Sequence, residues 1–203
     1  MSDRLAARSA LHGFAVPGRH GRMDGAAGVT VGERVDLGLA SVMARKGQGT
    51  ALREIARAAY GADLPDTPRH VAGPEVGFIG TGPGQWLAVS ERLANGDLST
   101  DLSTKLKGLA SISDQSDGRA VVRFAGGRAR EVLAKGLPID LHPSLFAPGG
   151  AATSIIALMG VTLWQVDAVP TYDIAVFRSL AGSFWKWLTD SAAEFGYDVA
   201  PTR

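Results

Sequence analysis

The sequence predicts an α+β protein in which helices cover one face of antiparallel sheets. Two observations carry this. Strand-like and helix-like periodicities run as strand, helix, strand, strand, helix, strand, and a similar order of elements then recurs without any residue-level repeat. Over 203 residues, hydrophobic side chains make up 45% and charged ones 20%, the balance of a globular chain that can bury a core.

The chain opens on a basic, glycine-rich arm, residues 1–27, with Arg4, Arg8, Arg19 and Arg22. Arg4 and Arg8 resemble the start of a signal peptide, but no apolar stretch follows. The arm reads either as a disordered tail or as an extended segment wrapping an acidic partner. Leu5, Leu11, Phe14 and Val16 favour the second, because a solvated tail has little use for them.

From residue 28, Val29, Val31, Val35, Leu37 and Leu39 alternate as one strand whose buried end is Ala40-Ser41-Val42-Met43-Ala44. A helix follows with Leu52, Ile55, Ala56, Ala59 and Tyr60 on one stripe and a closing glycine at Gly61. Val76, Phe78 and Ile79, the turn Gly80-Thr81-Gly82-Pro83-Gly84, and Trp86-Leu87-Ala88-Val89 make a hairpin. Asn95-Gly96 signals a turn and Asp97 a helix N-cap. Leu98, Leu102, Leu106 and Leu109 then line a second helix, and Ser111-Ile112-Ser113-Asp114 returns to the sheet.

The second half repeats the order. Ala120-Val121-Val122-Arg123-Phe124 is a strand, and Gly126-Gly127 leads into a helix with Ala129, Val132 and Leu133 inward. A long loop, residues 134–149, precedes three strands near 153–158, 161–166 and 172–177. A last helix, about 180–195, turns Phe184, Leu188, Ser191, Ala192 and Phe195 to one side. The expected organisation is the arm 1–27 and two small ferredoxin-like subdomains, 28–115 and 116–203.

Little of this points to chemistry on the chain. Twenty-one Lys and Arg against 20 Asp and Glu give no electrostatic footprint for nucleic acid. The absence of cysteine excludes disulfides, thiolate nucleophiles and Cys-ligated zinc, and fits a reducing cytoplasm. No stretch is long and apolar enough to cross a bilayer. The glycine-rich turn at 80–84 lacks the Gly-Lys-Ser/Thr ending of a phosphate loop and runs into a strand. His12, His20, His70 and His142 have no ligand spacing, and no Gly-x-Ser-x-Gly occurs. No catalytic, cofactor-binding or metal residue is therefore assigned.

The loop is the most informative segment. Pro138, Pro143 and Pro148 stiffen it, and Leu141 and Phe146 are its expected pegs. Ordered loops of this length bind a ligand or dock a partner. His142 is its candidate acid or base, with a backbone-bonded histidine as the alternative and Asp140 as a turn cap. On the last helix Trp185 lies about 100° from Phe184, so the apolar stripe is either widened core or a surface covered by another protein. The candidate partner contacts are Arg4, Arg8, Phe14, His142, Phe146 and Trp185.

Several runs together resemble a known family: Arg8-Ser9-Ala10-Leu11, Gly82-Pro83-Gly84-Gln85-Trp86-Leu87, residues 136–146 and residues 177–188. Over nearly its whole length the chain resembles gamma subunits of heterotetrameric sarcosine oxidases. The gamma chain of N-methylglutamate dehydrogenase is similar too. More distantly, the second half is similar to the aminomethyltransferase (glycine-cleavage T-protein) and folate-binding group. The resemblance implies an aminomethyltransferase-like fold and a non-catalytic structural subunit. It implies alpha, beta and delta partner subunits, with FAD, FMN, NAD and tetrahydrofolate held on those partners. The complex would oxidatively demethylate sarcosine to glycine. Two features depart from the folate group: Arg178-Ser179 follows Phe177 where an Asn-containing turn is expected, and the Lys-Gly-Cys-Tyr-type motif is missing. The rival is a free-standing tetrahydrofolate-binding protein. It requires a deep pocket between the halves with a carboxylate for the pterin ring.

Overall fold

The computed structural model describes residues 8–94 and 96–201. In chain order the first elements are β1 (Gly18–His20), β2 (Val29–Arg34), β3 (Gly38–Ala44), α1 (Gly49–Tyr60), β4 (His70–Val71) and β5 (Gly77–Gly82). Next come β6 (Gln85–Ser90), α2 (Asp97–Lys105), β7 (Ala110–Asp114), β8 (Arg119–Ala125) and α3 (Ala129–Ala134). The chain ends with β9 (Ala151–Ile156), β10 (Met159–Asp167), β11 (Thr171–Phe177), α4 (Ala181–Ala192) and β12 (Tyr197–Val199).

The small sheet has the order β4-β5-β6-β3-β7. Apart from the two-residue edge strand β4, its strands stand in the order second, third, first, fourth, with helices after the first and third. That is the ferredoxin-like arrangement. The large sheet has the order β1-β12-β2-β8-β11-β10-β9. It holds the same arrangement over β8, α3, β10, β11, α4 and β12, with one intrusion: β2 is wedged between β12 and β8. β2 pairs parallel with β12 and antiparallel with β8.

Burial turns these sheets into four layers. One face of the small sheet (Val42, Phe78, Trp86, Ala88) packs on Leu52 and Ala56 of α1 and Leu98 and Leu102 of α2. One face of the large sheet packs on Val132 and Leu133 of α3 and Phe184 and Leu188 of α4. The remaining faces meet each other, joining Leu39, Ile79, Leu87 and Val89 to Val121, Ala151, Trp164 and Ala175. Helices thus lie outside and the sheets inside, as strands with two apolar faces require.

Four expectations need correction. The strand read continuously through residues 29–44 is two strands in different sheets, broken at Asp36, where the chain crosses from one layer to the other. The break keeps the alternation intact, so periodicity does not show it. On α1 only Leu52, Ala56 and Tyr60 are buried, while Ile55 and Ala59 face outward, so the apolar stripe is narrower than read. Gly96, at φ 87°, is the N-cap of α2, and Asp97 is its first helical residue. The arm from residue 8 onward is built into the fold: Leu11 is buried in the core under α4, and β1 pairs with β12.

Candidate functional site

A network of charged side chains lies between the two sheets. At the bend after β2, Arg34 forks onto Asp36 (Nε–Oδ1 and Nη2–Oδ2, both 2.7 Å) and also donates to Glu91 at 2.6 Å. Arg123, in the middle of β8, forks onto Asp173 of β11 with two bonds of 2.7 Å. Asp173 is directly opposite Arg123 in the strand register. Its second oxygen also stands 3.6 Å from Nη1 of Arg34. These charges link both sheets along one rim. The bonds to Asp36 hold the Arg34 guanidinium above its ordinary range, and Arg34 in turn holds the Asp36 carboxyl below its own.

Beside them opens a cleft of about 330 Å³ lined by His70, Glu75, Arg92, Arg123, Trp164 and Asp173. His70 tilts over Trp164 with ring centroids 6.1 Å apart. Its Nε2 would lie 2.5 Å from a Cβ on Gly77, so the ring occupies the space that glycine leaves. Burial depresses the His70 pKa below its ordinary value, partly offset by the negative charge of Asp173.

Glu75, Glu91 and Asp173 are the carboxylates lining the cleft, and the buried one is already paired. Asp173 is 2% exposed, and both of its oxygens are held by Arg123. The fork takes one lone pair on each oxygen, and burial closes off the approach to the others. No cluster of three or more His, Cys, Asp or Glu that could hold a metal occurs among the described residues. None of the described helices is long and apolar enough to cross a membrane.

The sequence-predicted contacts are scattered. Arg4 lies outside the described residues. Arg8 is exposed, and its carbonyl accepts a bond from Nη2 of Arg178. Phe14 is exposed, with one edge of its ring on Gly182 at the start of α4. Leu141 and Phe146 peg the 134–149 loop, Phe146 beside Tyr172, and Arg130 Nε donates to the Leu141 carbonyl at 2.9 Å. His142 is exposed at the loop's crest, with its amide on Asp140 (2.7 Å) and its Nδ1 on Ser144 (2.7 Å). Phe146 and Trp185 are both under 10% exposed and belong to the chain's own core, so neither has much surface for a partner. Trp187 covers Gly136, where any Cβ would enter its indole ring. The loop therefore docks on α4.

A family model described as "Sarcosine oxidase, gamma subunit family" matches residues 47–194. The chain belongs to the sarcosine oxidase gamma subunit family. It is 32% identical over 140 residues to the sarcosine oxidase subunit gamma of Corynebacterium sp. (strain P-1), covering 68% of each chain. It is 31% identical over 151 residues to the Arthrobacter sp. subunit gamma, covering 72% of each. A chain of the heterotetrameric sarcosine oxidase from Corynebacterium sp. U-96, solved in complex with pyrrole 2-carboxylate, matches with a TM-score of 0.77 and 26% identity. That match covers 97% of this chain and 98% of the other. The glycine cleavage system aminomethyltransferase T from Bartonella henselae shares the fold at a TM-score of 0.64 and 14% identity, over 91% of this chain and 58% of that one. The fold is thus the aminomethyltransferase-like one, in a family whose named relatives are sarcosine oxidase gamma subunits.

The charged rim lies outside the sequence-predicted contacts. A signal was present: Arg123 and Asp173 each interrupt an otherwise apolar strand. A lone charge in the middle of a buried strand demands an opposite one on the strand beside it.

Proposed function

We propose that this chain is the non-catalytic gamma subunit of a heterotetrameric sarcosine oxidase working in the cytoplasm. It supports alpha, beta and delta subunits that hold FAD, FMN, NAD and tetrahydrofolate and that demethylate sarcosine oxidatively to glycine. The observation that carries this reading is the near-complete mutual coverage with a chain of a solved heterotetrameric sarcosine oxidase. The polar cleft supports the non-catalytic half, because Arg123 already occupies its buried carboxylate.

The test is co-expression with the alpha, beta and delta subunits and capture through a tag on one of them. The gamma chain is expected in stoichiometric amount. The purified gamma chain alone, given sarcosine, is expected to release no hydrogen peroxide and to carry no flavin absorbance. Peroxide from the lone chain would remove the non-catalytic reading. Failure to co-purify would remove the subunit reading.

A further inference from the structure

At the end of the large sheet where β9 turns into β10, an apolar notch stands beside an arginine with no hydrogen-bonded or ion-paired side-chain partner among the described residues. The register sets Phe177 opposite Arg119, Val176 opposite Val161, and Gly160 opposite Ile155. One row across the sheet therefore reads Arg119, Phe177, Gly160, Ile155, all on one face. Further along the same strands this face carries Val121, Ala175, Trp164 and Ala151, which the small sheet covers. In the end row Phe177 and Ile155 are each 47% exposed. Nothing lies within 4 Å of the Cβ position of Gly160, so the glycine leaves a gap between two apolar walls roughly 10 Å apart, two strand spacings.

The rim of the gap is strained and positively charged. Ala157 and Leu158 form the two-residue turn between β9 and β10 at φ 46° and 68°, a region that favours glycine or asparagine, and Leu158 is 92% exposed. Arg119 lies 4.7 Å from the Phe177 ring centroid. Its Nε is shut off from water and has no hydrogen-bond partner among the described residues. Arg8, Arg119 and Arg178 share an adjoining pocket of about 350 Å³ with Glu33 and Asp117. Glu33 is engaged by the amides of Ala10 and Leu11.

We propose that this notch docks a segment of another subunit of the complex, setting an apolar side chain over Gly160 and a carboxylate on Arg119. The inference rests on the subunit reading above. Charge selects this occupant over a second copy of the chain, whose same face would bring arginine against arginine.

Two variants test it. Gly160→Phe fills the gap from a Cβ position that has nothing within 4 Å of it, and Arg119→Gln removes the cation. Each is co-expressed with the alpha, beta and delta subunits and captured through a tag on one of those. Recovery of either variant is expected to fall at least tenfold below wild type, while both melt as isolated chains within a few degrees of it. In the wild-type complex, amide exchange over residues 155–160 is expected to slow at least tenfold relative to the free chain. Wild-type recovery of both variants overturns the proposal, as does unchanged exchange in an assembled wild-type complex. A third outcome is that acetate raises the melting temperature of the wild type and not of Arg119→Gln, with assembly of both variants intact. That result assigns the arginine to a small free carboxylate and overturns docking. If the wild-type chain fails to assemble, the subunit reading falls first and this inference with it.

Discussion

Asp173 and Arg123 form an asymmetric pair. The Asp173 side chain is 3% exposed and that of Arg123 is 37% exposed. Removing Asp173 leaves an arginine that can turn to water, whereas removing Arg123 leaves a buried carboxylate with only Arg34, 3.6 Å away, for a cation. Arg123→Met is therefore expected to destabilise the chain by about 3 kcal/mol and Asp173→Asn by clearly less. Equilibrium urea unfolding of both variants checks the ranking, and equal losses would contradict it. His70 gives a second prediction at this scale. Its folded pKa lies below the ordinary 6.5, so the unfolded chain takes up the proton first as pH falls. The His70 contribution is complete above about pH 6.5 and is lost as pH falls through the depressed folded value. Melting curves between pH 7.5 and 5 are expected to show a smaller acid loss for His70→Gln than for wild type. Arg123 and Asp173 were legible as charges in apolar strands. The role of His70 was not, because its contact with Trp164 joins segments far apart in sequence.

Single elements show where local pattern suffices. The glycine-rich hairpin, α3 and the pegs of the 134–149 loop follow from turn chemistry and apolar spacing, and the structure has them where the sequence put them. The loop separates anchor from crest. Phe146→Ala opens a cavity beside Tyr172 and is expected to cost about 3–4 kcal/mol, while His142→Ala at the exposed crest stays within about 0.5 kcal/mol. Thermal melts of the two variants separate them, and comparable losses would mean the crest is also structural. The Ala157-Leu158 turn was not legible, because neither residue signals a left-handed backbone. An L residue there costs about 1 kcal/mol, so Leu158→Gly is expected to raise the stability of the isolated chain by about that amount. A loss of stability instead would mean that the exposed leucine has a packing role in the free chain.

At the scale of the whole molecule, the order of elements was readable and their partition between sheets was not. β2 and β12 are a parallel pair contributed by opposite ends of the chain, and β12 is only three residues long. Neither fact leaves a local periodicity. The consequence is that the two ferredoxin-like sheets are unequal as independent units. Residues 38–115 hold every long strand of the small sheet. Residues 116–203 lack β2, without which β8 and β12 have no common neighbour. A fragment of residues 116–203 is therefore expected to show no dispersed amide spectrum, since unpaired inner edges leave buried backbone groups unsatisfied. Joining residue 203 through a flexible linker to residue 8 and ending the chain at residue 37 restores β1 and β2 to their places in a circular permutant. That permutant is expected to regain dispersion and a cooperative melt. It would also expose Val121, Trp164 and Ala175, which the small sheet normally covers, and so tend to self-associate. A folded 116–203 fragment would mean that β8 and β12 pair directly, and that the intruding strand is an embellishment and not a condition of the fold.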